Sequence, residues 1–496
     1  MEIEIQYQPR NWARRLHESK KRWNVLVLHR RAGKAQPLSA NVLTPSGFVR
    51  MGDVSVGMNV STPKGCVAKV LAIYPQGLQK IYRIKTQDGG ETRATSDHLW
   101  KIHFGNRKRN CGIFTTEYLR EFIEREKTKK QKSKSRPLLD MISGVNFGVN
   151  RDIILDPYML GLLLGDGGLS AGRQIRFSTV DGELVEHMKN CGFVVNKIGG
   201  LNCDYRINGA YSLMVRLGLY GKTSKDKFIP PQYMGATSDV RLAVLQGLMD
   251  TDGSSEPKKS GNEFCSISKT LAEQVTYLAR SLGMIASVSL PQKTSFTYKS
   301  EKKAGQDKYR VFIRSNGLPL FRLARKSANN KAFRFENRRA IVDIQEDGYE
   351  EAQCILLDDP EHLYITNDFI VTHNTTAAIN HLQRDALRTP GSRFAYIAPT
   401  YKQAKQIAWD MLKQYSEGIP GRYKNEVELY VEYPNRSRVT LYGADNPDAL
   451  RGIGLWGCAF DEYSQQPSNI FSEIISKCLA DHLGYAIWLG TPKGKN

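Results

Sequence analysis

The feature that most restricts this chain is a phosphate-binding loop in two pieces. Val25-Leu26-Val27-Leu28 is a short apolar run suited to a buried parallel strand, and it leads into His29-Arg30-Arg31-Ala32-Gly33-Lys34. Such a loop needs Ser or Thr directly after the Lys, because the ammonium addresses the β/γ-phosphates while the adjacent hydroxyl holds Mg²⁺ at the helix N-terminus. Here Ala35-Gln36-Pro37 follows. The missing residues stand far downstream, where Thr375-Thr376-Ala377-Ala378-Ile379 opens a helix-like stretch. Joining Lys34 to Thr375 restores strand, loop and helix as one unit. A lone Gly-Lys is an ordinary turn, but the segments beyond it continue the pattern. Phe394–Thr400 reads as a second strand and turn, Leu455–Phe460 runs into Asp461-Glu462, and Ala486–Leu489 ends in Gly490-Thr491-Pro492. An acidic pair at a strand end suits nucleotide hydrolysis, with Asp461 on Mg²⁺ and Glu462 orienting the attacking water. Strands alternating with helical stretches predict an α/β sheet with its site at the strand ends.

At roughly 150 residues per domain, 496 residues suggest about three domains. Lys and Arg outnumber Asp and Glu 71 to 50, a net charge of +21 that favours polyanionic partners, nucleic acid first. Eight cysteines without a Cys-x-x-Cys pair fit a reducing cytoplasm, and no apolar run of about 18 residues predicts a signal peptide or membrane span.

The flanking segments resemble the ATPase domain of the large terminase subunit of tailed bacteriophages. The likeness covers residues 1–34 and 375–496 and rests on Arg30 in the loop, Pro399-Thr400-Tyr401-Lys402-Gln403-Ala404, Arg451-Gly452 ahead of Asp461-Glu462, and Gly490-Thr491-Pro492. It implies ATP binding by Arg30, Gly33, Lys34 and Thr375, with Arg30 as a transition-state finger and Thr491 coupling hydrolysis to movement. It also implies double-stranded DNA, a terminase small subunit and a portal protein as partners, in the cytoplasm of an infected cell and without a membrane. Leu28 departs from the Gly usual at its position. Tyr7-Gln8-Pro9 is a candidate adenine contact. The family's nuclease domain would follow Thr491, where this chain stops.

The interrupting block, residues 35–374, carries chemistry of its own. Thr95-Ser96-Asp97-His98-Leu99-Trp100, Cys354-Ile355-Leu356-Leu357 and the closing His373-Asn374 before Thr375 resemble an intein, a self-excising protein of the all-β Hint fold. Its two parts are expected at 35–140 and 336–374. Excision must activate the bond after Lys34, pass that acyl group to Thr375 and cleave after Asn374. Residue 35 is Ala and offers no nucleophile. Inteins of class 3 use an internal Cys instead, with a Trp two residues after the His and a Thr after the insert, and Cys354, Trp100 and Thr375 match. The resemblance assigns attack on the Lys34 carbonyl to Cys354, polarisation and oxyanion stabilisation to His98 and Thr95, pocket shaping to Trp100, and cyclisation to Asn374 assisted by His373, with no cofactor. The alternative is a class 1 intein whose first residue was replaced by Ala.

Leu160-Gly161-Leu162-Leu163-Leu164-Gly165-Asp166-Gly167 and Leu245-Gln246-Gly247-Leu248-Met249-Asp250-Thr251-Asp252-Gly253 are two apolar helices, each ending in an acid and a glycine. Packed through their glycines, they would bring two carboxylates to the negative helix ends and favour a divalent metal. They resemble the two motifs of a monomeric LAGLIDADG homing endonuclease, expected over 141–335. That likeness implies Mg²⁺ on Asp166 and Asp252, Asp250 in the second acidic place where the first copy has Leu164, and Lys227 in support. The Lys/Arg-rich stretch 101–140 reads as a connector whose run Lys127–Arg136 is either a solvated linker or a phosphate contact. A second basic stretch, Arg322–Arg339, leads back to the splicing half.

The sequence thus predicts a multidomain precursor: an all-β Hint domain, an α/β LAGLIDADG endonuclease and a split α/β P-loop host. The reading from another class is a non-enzymatic DNA-binding packaging component with an inert insert.

Overall fold

The computed structural model describes residues 22–27, 35–104, 111–128, 136–147, 152–170, 173–199, 203–255, 261–298, 301–328, 338–359, 363–372, 378–409, 412–413, 416, 419–461 and 463–490. Arg30, Gly33, Lys34, His373, Asn374, Thr375, Glu462, Thr491, Tyr7-Gln8-Pro9 and the basic run 129–135 lie outside the described residues. Among the described residues, no helix is long and apolar enough to cross a membrane.

The first and last strands of the chain are neighbours. Trp23–Val27 pairs in parallel with Tyr485–Gly490, from Trp23 opposite Ala486 to Val27 opposite Gly490. Gly457–Phe460, Arg393–Ala398 and Arg438–Gly443 continue the parallel sheet, and Tyr430–Glu432 and Tyr423–Asn425 close its edge antiparallel. Phe394 to Ala398 and Gly457 to Phe460 are buried without a break, the signature of strands covered on both faces. The helix Ala378–Arg388 buries Ile379, Leu382 and Ala386 against this sheet. Each expected strand is present, with ends shifted by a residue or two. The sheet leaves off after Val27 and the chain resumes it beyond residue 374, so the intervening block interrupts one continuous α/β unit.

The block begins in a β-rich body. Two long strands, Val67–Thr86 and Arg338–Leu357, run antiparallel through four register shifts that bend the pair. Around them lie Asn59–Ser61, Glu91–Thr95, Leu99–Phe104, Cys111–Thr115, Pro137–Asp140 and the short entry strand Gln36–Pro37. A second sheet joins Asn41–Thr44 and Gly47–Arg50 to Tyr364–Thr366 and Ile370–Thr372, bringing the two ends of the block into one layer.

The stretch 101–140 is not a plain connector. It supplies strand residues 101–104 and 111–115, the helix Thr116–Thr128 and the strand Pro137–Asp140, which sits between Leu99–Phe104 and Arg338–Leu357. Leu119 and Ile123 are buried while the charges face outward, and Lys127 pairs with Asp343 at 2.7 Å. A charge count over the window hides this helical period, which is what decides burial.

The middle of the block is a duplicated α/β body. Helix α1 (Pro157–Asp166) runs straight into Gly167–Gly168, and helix α2 (Ser238–Asp252) straight into Gly253–Ser255. Each is followed by a four-stranded sheet of the same internal order and by a helix after its second strand, Gly182–Asn190 in the first half and α3 (Lys269–Ser281) in the second. Asp156 caps α1 by accepting from the Met159 amide at 2.8 Å, and Ser268 caps α3 through the Leu271 amide at 3.1 Å.

Candidate active sites

The entry strand places the start of the block against its far end. Gln36 is the register partner of Gln353 and Pro37 of Ala352, and the Leu38 amide donates to the Glu351 carbonyl at 2.9 Å. Ala35 precedes this pair and Cys354 follows Gln353, so the two residues flank the same end of it, with Ala35 packed on Ile81 and Ala352. Ala35 and Cys354 are buried, at 1% and 2% exposure. The Gln36 amide fixes the strand by donating to the Arg93 carbonyl and the Thr366 hydroxyl, each at 3.0 Å, while its oxygen accepts from the Tyr364 hydroxyl.

One loop holds both ends of the block. The backbone amide and hydroxyl of Thr95 both donate to the Ala35 carbonyl, each at 3.1 Å. The oxygen Thr95 holds is therefore that of Ala35, one residue beyond the Lys34 carbonyl it was expected to polarise. Fully buried His98 bonds through Nε2 to the hydroxyl of Thr372, the last described residue of the block. Trp100 packs its ring, tilted by 58°, 4.9 Å from the His98 ring and donates from Nε1 to the Thr116 hydroxyl at 2.9 Å, which fixes the imidazole's wall. Thr95, His98, Trp100 and Cys354 are thus assembled around the two termini.

The turn before Ile370–Thr372 is strained. Asp368 and Phe369 have φ of 55° and 58°, a left-handed backbone that costs non-glycine residues about 1–3 kcal/mol each and requires outside support. Asp368 accepts from the Glu91 amide at 2.8 Å and Asn367 from the Asn41 amide at 2.8 Å. Beneath lies Asp88. Against the cost of burial, Arg339 at 2.8 Å and Arg280 at 3.6 Å hold its carboxyl below the usual range.

In the duplicated body, α1 and α2 cross through their glycines. A Cβ on Gly161 would meet the Val244 carbonyl oxygen at 2.3 Å and Gly247 Cα at 2.8 Å, and one on Gly247 would meet the Tyr158 carbonyl oxygen at 2.3 Å. This contact brings the helix ends, and with them Asp166 and Asp252, to one place. Burial and the nearby Asp166 carboxylate push Asp252 up to about 6. Burial pushes the Lys227 ammonium down to about 8, against the opposing pull of Asp252 and Asp166. Lys227 donates to the carbonyls of Gly165 at 2.7 Å and Leu163 at 3.3 Å, capping the last turn of α1. Lys326 does the same for α2, donating to Asp250, Thr251 and Gly253 carbonyls at 2.6–3.1 Å. Two hard-oxygen ligands at two negative helix ends, each end flanked by a lysine, form a donor set that suits Mg²⁺. Asp250 is not part of it: its carboxylate is buried and accepts from the Tyr158 hydroxyl at 2.7 Å and the Arg322 amide at 2.9 Å.

In the α/β host, Asp461 follows the central strand Gly457–Phe460 at its carboxyl end, buried, and accepts from the Tyr396 hydroxyl at 2.7 Å. Val27, where the strand entering the phosphate loop ends, lies at the same edge of the parallel sheet.

A family model described as homing endonuclease matches residues 229–337. The chain is 33% identical over 129 residues to the large terminase subunit of Thermus phage G20c, covering 22% of this chain and 26% of that protein. It is 26% identical over 389 residues to the replicative DNA helicase DnaB of Mycobacterium intracellulare, covering 74% of this chain and 63% of that protein. A solved structure, the Msm DnaB1 intein splicing domain bound with zinc, is 11% identical with a TM-score of 0.22, covering 68% of this chain and 99% of that one. Part of this chain thus matches a homing endonuclease, within a chain similar over part of its length to a terminase large subunit. The chain spans less than two thirds of the length of both curated relatives.

Several residues between the ends of the block carried no signal in the sequence. Gln36, Thr92 and Thr366 form a buried polar cluster and Thr372 meets His98, yet each is a common strand residue. Lys326 lies in the basic stretch 322–339, where its role was masked by neighbouring charges; the symmetry with Lys227 appears only once the two helices are crossed.

Proposed function

We propose that this chain is the unspliced precursor of a terminase ATPase and removes residues 35–374 from itself by class 3 chemistry. The pairing of Gln36 with Gln353, which leaves Ala35 and Cys354 at the same end of the pair, supports this reading. The Cys354 thiolate attacks the Lys34 carbonyl carbon, the bond to Ala35 breaks, and the Ala35 nitrogen leaves as an amine after taking up a proton. Thr95, gripping the Ala35 carbonyl, keeps the leaving nitrogen from drifting with the strand. The Thr375 hydroxyl then displaces the Cys354 sulfur. Asn374, assisted by His373, closes its side-chain amide onto its own carbonyl and frees the Thr375 amine, which takes the acyl group from its own oxygen. A new Lys34–Thr375 peptide bond remains. A class 1 intein stopped by Ala35 would lack any use for Cys354 in that register.

The endonuclease is of the LAGLIDADG type in this reading, with Asp166 and Asp252 holding Mg²⁺ and Lys227 balancing their charge. The ion, when bound, supplies charge neutralisation at a phosphodiester and an activated water. Its substrate would be double-stranded DNA encoding the Gly33-Lys34-Thr375-Thr376 junction. In the spliced host, Arg30, Gly33, Lys34 and Thr375 would hold ATP, Thr375 and Asp461 its Mg²⁺, and Glu462 the attacking water, with Thr491 coupling hydrolysis to movement. The DNA, small subunit and portal contacts of a packaging motor would follow splicing, in the cytoplasm of an infected cell. The precursor should hydrolyse little ATP because Lys34 and Thr375 are not yet adjacent in the chain.

Mass measurement of the purified chain over time tests the reading. Splicing yields an excised 35–374 piece and a ligated 1–34/375–496 product. An unchanged mass, with the protein folded, supports an inert insert instead.

A further inference from the structure

We propose that Arg280, on helix α3 of the endonuclease body, is a positioning residue for release of the insert's C-terminal end. This rests on the splicing reading above.

Arg280 is the point where the endonuclease grips the splicing body. It is 7% exposed and spends all three guanidinium nitrogens at once. Nε donates to the Ala286 carbonyl at 3.0 Å within its own body, while the terminal nitrogens reach the Asp368 carboxylate at 2.5 Å and the Asp88 carbonyl at 2.7 Å. One turn earlier on α3, Tyr277 packs edge-on against Phe369 at 5.0 Å, with Phe48 on the same ring at 5.2 Å. Both left-handed residues of the turn are therefore braced by α3: Asp368 by charge and Phe369 by an aromatic contact. Neither is a glycine, and Phe369 in particular pays for this conformation unless its surroundings hold it. The strand that leaves this turn is Ile370–Thr372, whose last hydroxyl meets His98.

A brace at Asp368 thus fixes the start of the strand that ends at Thr372, two positions before Asn374 in the sequence. The other junction is held by Thr95 on Ala35 and by the Gln36–Gln353 pair, bonds in which neither Arg280 nor Asp368 takes part. Loss of the brace should consequently separate the two ends of the reaction. Attack at Lys34 continues, while cyclisation waits for a misplaced strand.

The experiment uses the full chain and follows the two junctions independently, with hydroxylamine trapping the acyl group on Cys354 and mass spectrometry reading cleavage after Asn374. Arg280→Met should slow C-terminal release about tenfold or more while hydroxylamine cleavage after Lys34 stays within about twofold of the parent. Arg280→Lys should recover part of the loss. Asp368→Asn keeps a residue that tolerates the left-handed turn, so it tests the same contact without a folding risk. It should reproduce the defect, and the double variant should be no slower than either single one. Equal rates at the C-terminal junction in parent and Asp368→Asn overturn the proposal, as does a slowing shared equally by both junctions. A parent that forms neither product overturns this proposal together with the splicing reading. A splicing parent indifferent to both substitutions overturns this one alone.

Discussion

Gln36 faces Gln353 across an antiparallel pair, although they are 317 positions apart in the chain. This single register decides which residue flanks the pair at the same end as the first residue of the insert. A shift by one residue would turn Cys354 to the opposite face of its strand. The polar layer around Gln36, with Tyr364, Thr366 and the Arg93 carbonyl, guards against such a slip, because every group in it would lose its partner at once.

Thr95→Ala removes the side-chain half of the grip on the Ala35 carbonyl and leaves the backbone half in place. Acyl transfer to Cys354 should slow by about tenfold to a hundredfold, the effect of letting a positioned reacting group shift. Thr95→Ser, which keeps the hydroxyl, should restore most of the rate. Hydroxylamine-dependent cleavage after Lys34 measures both.

Gly161→Ala forces a methyl into the Val244 carbonyl and Gly247 at the helix crossing. The endonuclease body should lose about 1–3 kcal/mol of stability, and its DNA cleavage should fall as the carboxylates move apart. Acyl transfer from Lys34 to Cys354 should persist, since the splicing sheet has its own core. Thermal unfolding and a cleavage assay on junction DNA check this together; a variant that unfolds as late as the parent and cuts as fast contradicts it.

Removing Mg²⁺ with a chelator should abolish cleavage of junction DNA and leave splicing untouched. Asp252→Asn should also abolish cleavage. The Lys227→Met variant should cut slowly, because its loss leaves the Asp166 and Asp252 charges unbalanced and the carbonyls of Leu163 and Gly165 without a donor. Full cutting by Asp252→Asn would remove that residue from the metal site.

Much of this architecture was legible because it lies in local patterns. The apolar runs at 25–28, 394–398 and 486–489 became parallel strands, and the twin Gly-containing helices declared their own duplication. What remained hidden depends on distant pairing. The brace of Arg280 on Asp368 spans 88 positions and joins a helix interior to a turn, so neither residue carries a motif. Asp250 marked the second acidic place of its motif in the sequence, but only the packed helices show it turned inward to the Tyr158 hydroxyl. The stretch 101–140 misled for the opposite reason: its charges are abundant, and the few apolar residues that place it in the sheet are outnumbered.

The decisive measurement is the intact mass of the full chain and of Cys354→Ala, each followed with and without hydroxylamine. With Cys354 present, the parent should lose residues 35–374 and join Lys34 to Thr375, and hydroxylamine should divert it to cleavage after Lys34. Cys354→Ala should show neither product while keeping its fold. Splicing by the alanine variant at the parental rate would contradict attack by this sulfur and leave the Gln36–Gln353 register without chemical purpose.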